Sequence, residues 1–190
     1  MKRKSILGII LIVLLCSAQL LAFANPSISI GDVNHLHGSD APPLMRVEPD
    51  SLIEDFFSYM QDYAAEHDGD VVTCFDEEVQ AEIAAAIAES TAPGKEKVTL
   101  QDLHLDEYVP VCITDDCDLS CEACFKVGTV AEYSENDIVI VLLGIPYQDE
   151  LVWRVIKSEV INNKLMLTLT ADQLTAISQG TAVIEVLSNN

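Results

Sequence analysis

Positive charge is scarce in this chain: ten Lys and Arg stand against thirty-one Asp and Glu, a formal net charge of −21 over 190 residues. Nothing gathers those few cations into a patch, and a field of this sign repels phosphate backbones and anionic headgroups, so nucleic-acid binding is excluded as a function class. Aromatic residues make up only 6% of the chain, with one Trp, and the eight glycines are scattered. No phosphate-cradling glycine loop, nucleophile elbow or metalloprotease helix is present. Apart from one N-terminal run, no apolar stretch is long enough to span a bilayer.

That run has the form of an export signal. Met1-Lys-Arg-Lys4 is a basic start, Ile6 to Leu15 is almost unbroken apolar sequence, and Ala22-Phe-Ala24 is a small-x-small cleavage site. Residues 1–24 are therefore expected to be a removed secretory signal. Ser17 and Gln19 interrupt the run and disfavour a retained anchor, and Leu15 before Cys16 disfavours lipidation. Losing Lys2, Arg3 and Lys4 leaves seven basic residues against thirty-one acidic ones, a formal −24 on the 166 residues that remain. Such a surface suits solubility outside the cell or the attraction of Ca²⁺ or basic partners. The expected location is secreted, periplasmic or extracellular, with no membrane span after the signal is lost.

Four segments emerge from the patterning: the signal at 1–24, a flexible lead-in at 25–48, a helical, cysteine-containing region at 49–125 and an antiparallel β module at 126–190. The lead-in is rich in Pro, Gly, Ser and Asp, and its His35-Leu-His37 and Asp40 read as solvated groups. Asp50-Ser51 then opens a helix, with Asp50 as cap or Ser51 and Glu54 as a capping box. Leu52, Ile53, Phe56, Phe57, Met60, Tyr63 and Ala64 give it one apolar face as far as Glu66. A second helix is predicted from Asp76 to Ser90, with Val79, Ile83, Ala86 and Ile87 in a narrow stripe. Between them, Val71 to Phe75 reads as a buried strand or an extended connection. Val98 to Ile113 alternates weakly and predicts one or two short strands.

Beyond Cys124 the pattern becomes β, with strands at Phe125 to Glu132, Asp137 to Leu143 and Leu151 to Ile161. Asn162-Asn163 fits a type I′ hairpin turn, because Asn tolerates the positive φ it requires. That turn sets Ile161 opposite Lys164 and Val160 opposite Leu165, and puts Leu165, Leu167 and Leu169 on one face with Val160 and Ile156. Thr170 and Gln173 form a cap for a short helix carrying Leu174 and Ile177, ended by Gly180, and Thr181 to Leu187 is a last strand. Residues 164–187, a strand, a Leu-bearing helical turn, a glycine and a final alternating strand, resemble the close of immunoglobulin-like modules of exported bacterial proteins. That resemblance implies a β-sandwich and carries no functional residue. The expected class is α+β: an N-terminal helical pair, a cysteine-rich junction and a C-terminal antiparallel, sandwich-like module.

The junction concentrates the chemistry. Cys112, Cys117, Cys121 and Cys124 fall within thirteen residues, and Cys74 is the other cysteine outside the signal. In an oxidising compartment structural disulfides are the leading reading, with Cys74 bonded to a cluster member and one bridge within the cluster. Five cysteines cannot all pair, and the odd one would be free, bind a partner or form a covalent dimer. Three other chemistries compete. Cys117-Asp-Leu-Ser-Cys121-Glu-Ala-Cys124 resembles the cluster motif of radical S-adenosylmethionine enzymes, but Ala123 replaces that family's usual aromatic, and the residues after Cys124 read as hairpins where a barrel is needed. Cys112, Cys117, Cys121 and Cys124 as a metal site would crowd four thiolates beside Asp115, Asp116, Asp118 and Glu122. Thiol exchange at Cys121-Glu-Ala-Cys124 faces the same carboxylates, which discourage the thiolate it needs.

Elsewhere His67 and His104 stand isolated, and Asp68-Gly-Asp70 and Asp115-Asp-x-Asp118 are fragments of calcium loops lacking the closing Glu. Trp153 alternates within a strand and belongs in the core. The sequence reads as an exported acidic protein with no catalytic residues and no cofactor, binding a protein or glycan in the envelope or extracellular space. The alternative is an envelope thiol-redox or metal-binding protein using Cys112 to Cys124.

Overall fold

The computed structural model describes residues 44–91, 97–113, 119–127, 131–134 and 136–190. The expected signal, most of the expected lead-in, and Cys117 with Asp115, Asp116 and Asp118 lie outside the described residues. The fold is mixed α+β. Helix α1 (Ser51–Glu66) starts where the Asp50 side chain accepts from the Ile53 amide at 3.0 Å, satisfying one of the donors every helix leaves open at its start. Helix α2 (Glu77–Ser90) is capped in the same way by Asp76, through the Val79 amide at 2.9 Å. Between them, residues 72–74 form a 3-10 turn where a strand or extended connection was expected. The cause is Asp70, whose carboxylate accepts from both the Val72 and Thr73 amides and winds the chain up.

Seven strands make one antiparallel sheet in the order β1-β2-β7-β4-β5-β6-β3, comprising β1 (Leu44–Arg46), β2 (His104–Ile113), β3 (Ala123–Val127), β4 (Val139–Tyr147), β5 (Glu150–Ile161), β6 (Lys164–Leu169) and β7 (Ala182–Ser188). In place of two separate layers, the sheet is continuous, because the twelve-residue β5 serves both halves. Its residues 150–156 pair with β4 and its residues 157–161 pair with β6, so the sheet curls about this long strand. Strand β4 runs on through Gly144 and Pro146, where the sequence suggested an end, and turns at Gln148, which takes a φ of 58°.

The predicted hairpin register holds. Asn162 and Asn163 have φ of 51° and 60°, Ile161 opposes Lys164 and Val160 opposes Leu165. Leu165, Leu167 and Leu169 accordingly enter the core enclosed by the curl, beside Val109, Val111, Phe125, Val141, Leu143 and Ile156. Helix α3 (Ala171–Ser178), with the Thr170 and Gln173 capping box in place, adds Leu174 and Ile177 to that inner core. The opposite face of β2, β7, β4 and β5 carries a second, outer core under α1 and α2, in which Ile53, Met60, Val79, Ile83 and Ile87 meet Tyr108, Ile140, Leu142, Trp153, Val183 and Leu187. Among the described residues no helix is long and apolar enough to cross a membrane.

Candidate functional site

The four described cysteines are free thiols, so the staple expected between Cys74 and the cluster is not formed among them. Topology divides the cluster. Cys112 lies on β2 opposite Met45, and Cys124 lies on β3 opposite Thr168, with β3 at one end of the strand order and β2 next to the other. Their neighbours Val111, Ile113, Ala123 and Phe125 fill the inner core, so strand alternation turns Cys112 and Cys124 outward. Cys121 is exposed beside the Ser120 hydroxyl. Among the described residues, no group of three or more His, Cys, Asp or Glu is placed to hold a metal ion.

Cys74 sits in the 72–74 turn, half-buried against the outer core. Its Sγ donates to the Val71 carbonyl at 2.8 Å. Burial first, then the charges of Glu185 and Asp70, push the thiol up to about 12. At neutral pH it is a protonated thiol and no nucleophile.

The acid beside it is the unusual group of the outer core. Glu185 lies in the middle of β7, opposite Tyr108 on β2 and Leu142 on β4, and is 0% exposed. Neither carboxylate oxygen has a hydrogen-bond partner among the described residues. Burial raises its titration well above the usual carboxylate range, because an isolated charge in an apolar layer has lost its water and gained nothing in return. Tyr108 stands next to it with its hydroxyl donating to the Ile53 carbonyl of α1 at 2.9 Å and its ring 4.5 Å from that of Phe57. The same layer holds Trp153, flanked by Phe56 and Phe75, with ring centroids 5.1 and 5.3 Å away.

A second constellation joins residues that the sequence left apart. The pairing of β2 with β7 shifts between Leu105 and Glu107, which makes Asp106 the residue of a β-bulge. Freed from the ladder's alternation, the Asp106 carboxylate accepts from the Tyr133 hydroxyl at 2.9 Å and meets His104 Nε2 at 3.2 Å. Tyr133 is fully buried, and burial followed by the Asp106 charge holds its phenol above the usual range. The result is an imidazole at the surface oriented by a buried tyrosine through a shared carboxylate. The nearby Ser134 hydroxyl is committed to Asp137 at 2.8 Å. The weak alternation from Val98 to Ile113 was the only trace of the bulge.

The third feature is an aromatic row on the outward side of α1. Tyr59, Tyr63 and His67 succeed one another at helical spacing, with centroids 6.1 Å apart for the two tyrosines and 3.8 Å apart for Tyr63 and His67, whose rings are stacked within 5° of parallel. Tyr59 is 51% exposed. His67 Nδ1 lies 2.8 Å from the Tyr63 carbonyl and Tyr63 Oη 3.2 Å from Thr73 Oγ1, which together fix the stacked pair. From Ser51 to Asp70 the chain carries Glu54, Asp55, Asp62, Glu66, Asp68 and Asp70 and no Lys or Arg. The last turn of α1 contains no basic residue, so Asp62 and Glu66 adjoin the negative end of the helix dipole, an arrangement that costs stability.

No known protein family, curated protein or solved structure matches this chain. Geometry alone therefore bears on its function.

Proposed function

We propose that the protein is an exported, non-enzymatic binding protein that docks a cationic segment of a partner protein on the outward side of α1. The observation that carries this reading is the row of exposed Tyr59, half-buried Tyr63 and exposed His67 at a helix C-terminus crowded with carboxylates. Three attractions for a cation converge there: the faces of the tyrosine rings, the partial negative charge of the helix end and the side chains of Asp62 and Glu66. Each ring contact is worth about 0.5–1 kcal/mol at an exposed site. The arrangement weakens the isolated helix and would be compensated when a Lys or Arg of the partner arrives. The net acidity of the chain extends the same attraction over a longer range and speeds encounter.

The test uses a Lys- and Arg-rich peptide titrated into the protein by calorimetry. Binding is expected to weaken at least several-fold in Tyr59→Ala and Tyr63→Ala, with unfolding transitions little changed, and to weaken as salt is raised. Absence of binding, or binding indifferent to both substitutions, would overturn this reading.

A further inference from the structure

We propose that Glu185 is a proton-operated latch beneath the helical layer: carrying its proton, it leaves α1 and the 72–74 turn docked on the sheet, and losing it, it drives them off. The latch stands on its own geometry; that it regulates partner docking rests on the function proposed above.

Glu185 has both oxygens buried and unpartnered at the interface between sheet and helices. The titratable groups facing it are Tyr108 from β2 and Cys74 from the 72–74 turn, with Asp70 behind Cys74 and Asp50, the cap of α1, behind Tyr108. Strand β4 offers Leu142 opposite it, and α1 and α2 turn Ile53, Met60, Val79, Ile83 and Ile87 into this layer. The charges of these helices lie elsewhere: Glu54, Asp55, Asp62 and Glu66 of α1 and Glu77 and Glu89 of α2 are exposed. Glu78 and Glu82 meet Arg154, and Glu82 also accepts from the Val155 amide. Burial raises the titration of Glu185 and neither of its oxygens has a hydrogen-bond partner among the described residues, so an ionised Glu185 must reach water.

It has one economical route. Within the sheet, β7 is paired on both sides, with β2 and with β4, and exposing Glu185 in that plane would break two ladders. On the helical side α2 is tied to β5 by Glu82 and Arg154, whereas α1 is held by apolar packing and by the hydrogen bond from Tyr108 to Ile53. Apolar packing is non-directional and yields locally without unfolding the strands. Ionisation therefore lifts α1 and the 72–74 turn first, and with them the row formed by Tyr59, Tyr63 and His67.

Hydrogen exchange on the full chain, followed by mass spectrometry from mildly acidic to alkaline pH and corrected for intrinsic exchange chemistry, tests the latch. Protection in residues 51–66 is expected to fall with rising pH by up to about tenfold per unit, the limit for release of one proton, while β4 and β7 stay protected. Glu185→Gln should abolish that dependence, and Glu185→Met serves if the amide variant fails to fold. Parallel loss of protection in α1 and the sheet, a flat wild-type profile, or a dependence that survives in a non-titrating variant would overturn the proposal. Titrating the Lys- and Arg-rich peptide at mildly acidic pH separates the two readings: exchange that responds to pH without peptide binding leaves the latch standing and removes the docking function.

Discussion

The indole of Trp153 lies directly over Gly144 on the neighbouring strand: a Cβ placed on Gly144 would stand 2.7 Å from both Cη2 and Cζ3 of the ring and 2.8 Å from Cγ1 of Val183. Gly144↔Trp153 is a cross-strand pair, so the ring occupies the space that any other residue at 144 would fill. Gly144→Ala is expected to cost about 1–3 kcal/mol by overpacking. Denaturant unfolding would measure the loss, and a changed Trp153 emission in the folded state would place it in the outer core.

The global stability of the protein should fall as pH rises. The folded-state titration of Glu185 is raised above its unfolded value, so between the two the folded state holds a proton that the unfolded chain gives up. The stabilisation is fully present below the unfolded value, near the ordinary carboxylate range, and is lost progressively up to the folded one. The slope is on the order of 1 kcal/mol per pH unit at its steepest. Urea midpoints measured across that range should decline for the wild type and decline less for Glu185→Gln.

Thiol reactivity should track the structural order of the cysteines. Cys121 is exposed, whereas Cys74 is half-buried against the outer core with its thiol pushed up to about 12. Timed alkylation at neutral pH, read by peptide mass, should label Cys121 well before Cys74. Rapid labelling of Cys74 under native conditions would contradict its placement.

The hairpin turn offers a stabilising change. Asn163 has a φ of 60°, which glycine adopts without steric cost and which the second position of a type I′ turn favours. Asn163→Gly is expected to be neutral or stabilising by a few tenths of a kcal/mol, and Asn163→Val destabilising, in thermal melts.

Much of this fold was legible because its instructions are local. Asp50 and Thr170 announce their helices within three residues, and Asn162-Asn163 fixes the register of β5 and β6 without reference to the rest of the chain. The illegible part depends on distance. The Asp70 carboxylate wins two amides for a 3-10 turn from a run that also suits a strand. His104 and Tyr133 meet only because a bulge releases Asp106 from the alternation of β2. The curl depends on how β5 divides its pairing, which hydrophobic alternation alone does not encode. Glu185 left a visible mark, a single acid inside the apolar run from Ala182 to Leu187, but only the burial of both faces of β7 gives that mark its meaning. The row of Tyr59, Tyr63 and His67 was not assembled from the sequence: Tyr63 was placed on the apolar face and His67 read as isolated, because spacing identifies a face without saying what covers it.

The place of β7 in the sheet also dictates when the molecule can form. Its two neighbours are β2 and β4, and Tyr108 and Glu185, which oppose each other, stand seventy-seven positions apart in the chain. The β4-β5-β6 meander can assemble from near neighbours, but the middle of the sheet waits for residues 182–188, and closing so long a loop is slow. During synthesis the chain therefore remains without the strand that joins β2 to β4 until those residues emerge. If the protein is exported as proposed, this ordering would delay folding and keep the chain extended for passage across a membrane.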